Sequence, residues 1–515
     1  MSKISLSPVI RWSLPGVISL VVLSADPVHA RGKQGNPPAA SDNNQQTQLH
    51  IEQSELNALA QFSPSEAFDT AFEVGDGLFE HRFKADEGVG ANVGNGQRFT
   101  LVPRADLTGH QQWATHTPRR FTGPNAQSCN ICHGKPFGDG AGPVVMNNIQ
   151  DPLHMGLPAF FINRQTPHLF GIGALQRLAE EMTSELHTLR DEAISQASIT
   201  GTDITQPLQT KEVSFGSITV SPDGSIDTND LDGIDDDLIV KPFEWKGMVS
   251  HVRDFVRGAA HNELGLQATE MTGHNIDGDG DGVVNELSTG DITALVIYQA
   301  AQPRPVTKLE LSQLGQLDPL SARQTNQIAL GEQLFSEAGC ASCHKPQMTL
   351  NDPVYSEPSL HTSYRDSVFP SGQFPEDEGV SVQTAIQFDL TEDLPDNPIQ
   401  TGNNTLGNFE KDGNGGAIVR LYGDLKRHDM GQELAESIDA GGISASVFLT
   451  KELWGAGSTA PYLHDGRATT LEEAIAFHGG ESASSRDNFN ALSANDQRAV
   501  IAFLKSLVLY KTEEE

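Results

Sequence analysis

"SARQTNQIALGEQLFSEAGCASCH", residues 321–344, reads as an amphipathic helix that breaks at Gly339 and runs straight into a cysteine motif. Ile328 and Phe335 are seven residues apart and Leu330 and Leu334 four, which puts them on one side of a helix. Cys340 and Cys343 then enclose two residues, with His344 immediately behind. "QSCNICHGKPFGDGAGP" (127–143) repeats the arrangement with Cys129, Cys132 and His133, and the two copies use all 4 cysteines of the 515-residue chain. Cys-x-x-Cys-His is the attachment signature for c-type haem. Two thiols so spaced can add to the porphyrin vinyl groups, and the histidine then lies beneath the iron. A zinc site would need further soft ligands, and no cysteine is left over. A pair of disulfides, the usual use of four cysteines in an exported protein, would not call for the histidine twice. Two covalently bound haem c groups are therefore expected, with His133 and His344 as proximal ligands.

The surroundings agree. "LSANDQRAVIAFLKSLVLY" (492–510) starts with Ser493 as an N-cap and carries Val500, Phe503, Leu504 and Leu507 at helical spacing. An opening helix, a haem motif and a closing helix make a cytochrome c-like domain, and Gln302 to Pro305 reads as the linker ahead of it. At the other end, Lys3 and Arg11, an apolar run from Trp12 to Leu23 and the small-residue site Val28-His29-Ala30 form the three parts of a secretory signal over 1–30. The apolar run is too short to span a bilayer, so a periplasmic or secreted, soluble protein without a membrane span in its mature chain is expected. The net charge of −34 argues against nucleic acid and anionic membrane surfaces, which select basic patches.

An internal repeat relates the two halves. Thr166-Pro167-His168-Leu169-Phe170-Gly171-Ile172-Gly173 matches Thr450-Lys451-Glu452-Leu453-Trp454-Gly455-Ala456-Gly457. Downstream, "FEWKGMVSHVRDFVRGAAHNELG" (243–265) lines up with "YLHDGRATTLEEAIAFHGGES" (462–482), with Gly247 on Gly466 and Trp245 on His464. "LWGAGSTAPYLHDGRATTLEEAIAFHGGE" (453–481) resembles the C-terminal haem domain of the di-haem oxidoreductase family, which is similar to the bacterial di-haem cytochrome c peroxidases. The resemblance implies a mainly α fold of two cytochrome c-like domains packed face to face, with a tryptophan between the haems and long irregular insertions. The domains then read as a flexible N-terminal segment over 31–70, a first haem domain over 71–303 and a second over 304–515. One haem would transfer electrons and the other handle peroxide.

The halves differ where catalysis would be decided. Thr470 and Glu473 form a capping box, and Leu471, Ala474, Ile475 and His478 fall on one face of the helix that follows. The resemblance makes His478 the second axial ligand opposite His344, with Met430 as the rival. The position equivalent to His478 in the first half is Ala259, which cannot bind iron. The haem on Cys129 and Cys132 is thus the candidate for an open coordination position. The resemblance implies a distal acid–base group near His261 and Glu263 and a bridging role for Trp245; His168 is a further distal candidate. Trp245 is followed by Lys246-Gly247, not by the Asp-Gly-Arg of the peroxidases. Asp277, Asp279 and Asp281 open a calcium-loop pattern, but its twelfth position is Ser288. The run 221–238 reads as an acidic surface loop.

These features point to a cytochrome c peroxidase-like oxidoreductase. Its donor would be a small redox protein, a cytochrome c or a copper protein, or else a small-molecule substrate. Two alternatives stay open: a haem-dependent oxygenase of the rubber-oxygenase type, and an electron carrier with both irons six-coordinate.

Overall fold

In the computed structural model, the residues described are 49–511 except 95, 101, 103–112, 114–115, 146–147, 393, 397–398 and 402–403. The signal-like segment 1–30 lies outside them. Two helix pairs organise the fold. In the second half, Ala322–Glu337 packs across Ala494–Leu504. Ser321 caps the first helix, accepting from the Gln324 N–H while the Gln324 side chain accepts from the Ser321 N–H. The helix stops at Gly339, whose φ of 88° is the left-handed geometry that glycine adopts without strain. At the crossing, a Cβ on Gly331 would lie 2.0 Å from the Ala499 carbonyl oxygen, so only glycine lets the backbones approach this closely.

The first half repeats this crossing. Pro64–Glu80 packs on Thr289–Ala300, and a Cβ on Gly75 would lie 2.2 Å from the Ala294 carbonyl. Phe79 meets Tyr298 with ring centres 5.4 Å apart, as Phe335 meets Phe503 at 5.5 Å. Of the expected flexible segment over 31–70, residues 31–48 lie outside the described residues; from Gln53 the chain is helical instead, as Gln53–Phe62 and then Pro64–Glu80, whose Phe68, Phe72 and Phe79 enter the core.

The composition of the fold is also mixed rather than mainly α, with 35% helix and 14% strand. Most of the strands come from the insertions. Between His344 and Thr450 the described residues form short antiparallel pairs, such as Val354–Glu357 with Ile386–Asp389 and Arg427–Asp429 with Val447–Leu449, and only single turns of 3₁₀ helix at Thr362–Tyr364 and Val382–Thr384. Tyr355, Tyr364, Phe388 and Leu421 of this insertion bury their side chains in the large core of the first half, leaving a smaller core around Leu334, Phe335 and Phe503. Buried ions lock the joint: Arg253 binds Glu270 and, at 2.7 Å, Glu357, while Arg257 binds Glu270 at 2.9 Å and Asp366 at 3.0 Å. Helix Val252–Ala259 is thereby fixed from two sides. The acidic run 221–238 is not merely a solvated loop, since Asp232 pairs with Lys426 and Asp235 with Arg427.

Candidate functional site

Each cysteine motif opens onto its own cavity. In both, the first cysteine starts one turn of 3₁₀ helix, Cys129–Ile131 and Cys340–Ser342, which turns the thiols and the following histidine inward. None of the four cysteines is paired in a disulfide.

The second cavity, of about 290 Å³, is lined by Cys340, Cys343, His344 and His478 among mostly apolar neighbours such as Phe335, Leu471 and Leu504. Thr470 caps the short helix Leu471–Ala476 as the sequence requires, accepting from the Glu473 N–H at 3.1 Å. His478 follows immediately beyond that helix. Its Nδ1 donates to the Ala474 carbonyl at 2.8 Å, and Nδ1 of His344 donates to that of Tyr422 at 3.1 Å. Both rings thus keep Nε2 free, the arrangement that orients an imidazole for a metal. Burial lowers both histidines, His344 to about 4, and holds them in the neutral form a ligand needs. Their ring centres are 6.4 Å apart. Two imidazoles bound to opposite sides of one metal, each at about 2.0–2.1 Å through nitrogen, have centres roughly 6 to 6.5 Å apart. The residues therefore fit a haem held between His344 and His478. Met430 also reaches this cavity, but its Sδ lies 3.9 Å from the Ser482 hydroxyl.

The first cavity, of about 410 Å³, is lined by Cys129, Cys132 and His133. His133 is oriented as His344 is, with Nδ1 on the Gly140 carbonyl at 3.2 Å, and burial lowers it to about 4. The wall includes Gly258, Ala259 and Ala260 from the helix that matches the His478 helix, three residues whose side chains cannot coordinate iron, and beyond them Met248, Met271 and His261. Helix Val252–Ala259 then widens into a π turn, Ala260–Leu264, which carries His261 and Glu263. Such turns are common at functional sites.

The two predicted distal residues differ sharply in this setting. His261 Nε2 lies 3.2 Å and 3.3 Å from the carbonyls of Pro118 and Arg119, and burial with the nearby Arg120 charge keeps the ring neutral. That makes it an anchor for the π turn. Glu263 accepts from the Asn148 amide at 2.7 Å through Oε1, while Oε2 is buried without a partner. Burial, and then the charge of Glu244, raise it to about 8, so it carries a proton at neutral pH. His168 is not in this cavity; it lines the second one, with Nε2 3.1 Å from the Trp454 carbonyl.

Trp245 borders both cavities. Its Nε1–H donates to the Gln165 carbonyl at 2.7 Å, and the Gln165 N–H donates to the carbonyl of His464, the repeat partner of Trp245, at 2.6 Å. The matched turns of the repeat thus meet between the sites.

Sequence reasoning missed His428 and Glu244. His428 lies on the second cavity between Asp424 at 2.9 Å and Glu481 at 2.7 Å. Burial opposes its charge, but the Asp424 contact raises it to about 11, and the Glu481 bond ties down the loop that follows His478. Glu244, beside Trp245, lines the first cavity.

Carboxylate oxygens of Asp277, Asp279 and Asp281 lie within 4.8 Å of one another. Asp279 forms a fully buried pair with Arg120 at 2.7 Å, and Asp281 pairs with Arg98. Ser288, at the twelfth position, instead caps helix Thr289–Ala300. Two arginines therefore account for much of the clustering.

Residues 399–507 match the model of the family described as "Di-haem oxidoreductase, putative peroxidase". The resemblance read from the sequence is shown over this segment, and the family implies haem cofactors. The segment contains His478 but neither cysteine pair. No curated protein matches the chain. Among solved structures, hydrazine synthase of Kuenenia stuttgartiensis is similar at 13% identity, covering 93% of this chain and 100% of its own, with a TM-score of 0.35. A MauG-like protein associated with microbial copper homeostasis is similar at 15% identity, covering 65% and 87%, with a TM-score of 0.25. Superpositions this loose carry no argument about fold or activity.

Proposed function

We propose that this chain is an exported di-haem c-type oxidoreductase that reduces peroxide in the first cavity with electrons received at the second. Export rests on residues 1–30; among the described residues no helix is long and apolar enough to cross a membrane. Cys129 with Cys132, and Cys340 with Cys343, would bind haem through thioethers, with His133 and His344 as proximal ligands. The supporting observation is an asymmetry between two matched cavities: His344 faces His478 at 6.4 Å, whereas the equivalent helix offers His133 only Ala259.

When bound, haem supplies the redox-active iron in both cavities and an exchangeable coordination position in the first. The chain does the rest. His344 and His478 would both hold the haem of the second site, which suits it to electron transfer alone. Trp245, held by the Gln165 carbonyl, gives an aromatic bridge between the cavities. Glu263 brings a proton to the first cavity on a carboxyl whose Oε2 is unencumbered. His261 keeps the π turn, and so Glu263, in place. The cluster of Asp277, Asp279 and Asp281 need not hold calcium for this reading, because Arg98 and Arg120 already offset its charge. Chelation is expected to leave both haem spectra unchanged.

The test is turnover of the haem-loaded protein with a reduced small cytochrome or copper protein. Peroxide-dependent oxidation of that donor supports the proposal. Oxygen uptake with an organic substrate, and no peroxide turnover, would instead support the oxygenase reading. Neither activity would leave the electron carrier.

A further inference from the structure

The first cavity contains a second carboxyl that the proposed reaction has not used. Glu244 precedes Trp245 with φ of 64°, a region seldom adopted by a residue with a side chain. Strain of this kind persists where the surroundings hold a side chain in place, and it clusters at functional sites. Here it turns the Glu244 side chain into the wall shared by Cys129, Cys132, His133, Ala259 and Glu263. Glu244 makes no side-chain hydrogen bond among the described residues. Two cations, Arg119 and Arg164, line the same wall, and Arg164 is already bound to Glu436. Of the three carboxyl groups on this wall, Asp254 pairs with Arg257, Glu263 has an unpartnered oxygen and Glu244 has no hydrogen bond among the described residues.

We propose that Glu244 is a second acid–base residue of the first cavity, exchanging protons with Glu263 so that the pair keeps one proton available there. This rests on the peroxide reading of the same site. Burial, then the neighbouring Asp254, raise Glu244, while Arg164 and Lys451 lower it. Glu263 is raised to about 8, first by burial and then by the Glu244 charge, so a charge on Glu244 holds the proton on Glu263. Reducing hydrogen peroxide to two waters breaks one O–O bond and takes up two electrons and two protons. The reduced redox-protein donor supplies the electrons. Glu263 gives the first proton to the departing oxygen, Glu244 reloads it with a proton from solvent, and a second transfer from Glu263 completes the two waters. Reloading restores the pair after each transfer.

Infrared difference titration of the haem-loaded protein tests the pairing without turnover. A protonated-carboxyl band that disappears in Glu263→Gln marks Glu263. Removing the neighbouring charge in Glu244→Gln should shift the midpoint of that band down by about one pH unit. Glu244→Asp, which keeps the charge, should hold it near the wild-type value. The alkaline limb of the kcat/KM profile for peroxide should move down with the band. A midpoint unchanged in Glu244→Gln would overturn the proposal. If the wild type does not turn over peroxide, the function proposed above fails, while the infrared titration still decides whether the two carboxyls are coupled.

Discussion

Replacing Lys511 with methionine probes how the two halves are joined behind His133. The Lys511 ammonium lies 3.0 Å from Asp139 and 2.7 Å from Asp396, carboxylates whose side chains are only 1% and 7% exposed. Tyr298 donates to the same Asp139 oxygen at 2.8 Å, and the next residue, Gly140, receives the His133 Nδ1–H. Removing the cation leaves two buried carboxylates without their counter-charge. Breaking one partner of a buried pair costs about 3–5 kcal/mol. Because the Lys511 side chain keeps 18% of its exposure, about 3 kcal/mol is the expected loss in unfolding free energy. The loss should depend on pH in a definite direction. Burial already raises Asp139 above its unfolded value, and losing Lys511 raises it further. The folded variant then holds a proton that the unfolded chain releases above about pH 4, so its stability falls as pH rises through the folded pKa. Urea unfolding of the haem-loaded protein should give the full deficit near about pH 8 and a smaller one near about pH 5. Adding Asp139→Asn should recover part of it. A deficit below about 1 kcal/mol, or one independent of pH, would refute the reasoning.

Three other outcomes follow from particular contacts. Gly331→Ala places a methyl group 2.0 Å from the Ala499 carbonyl and should cost about 1–3 kcal/mol by denaturant unfolding. Thr470→Ala removes the cap of the short helix before His478 and should cost about 1 kcal/mol, with a spectral change confined to the second haem. Trp245→Phe loses the indole bond to Gln165 and should slow reduction of the first haem about tenfold, equivalent to about 1.4 kcal/mol of barrier, in stopped-flow absorbance. Equal rates in Trp245→Phe and wild type would remove Trp245 from the electron path.

What was legible in the sequence was local. Both cysteine motifs, the helix breaking at Gly339, the Ser493 and Thr470 caps and the His478 helix each depend on residues within a few positions of one another. The opening helix of the first half was not legible. Gly75, Leu78 and Phe79 mirror Gly331, Leu334 and Phe335, but Cys129 follows Phe79 only after a long insertion, whereas Cys340 follows Phe335 within a turn. The strands between His344 and Thr450 are two to four residues long, too short to leave a periodicity to read, and several pair at a distance. His168 was placed at the wrong cavity because the repeated turns pack against each other, and it crosses to Trp454. Glu244 depends on a backbone angle that composition does not reveal.

The central claim is that the two irons differ in coordination, and an electron paramagnetic resonance spectrum of the oxidised, haem-loaded protein tests it most directly. One low-spin signal of the bis-imidazole type, lost in His478→Ala, should accompany a high-spin signal that cyanide converts to low spin. Two low-spin signals, both unaltered by cyanide, would contradict an open first site and leave a protein that only carries electrons.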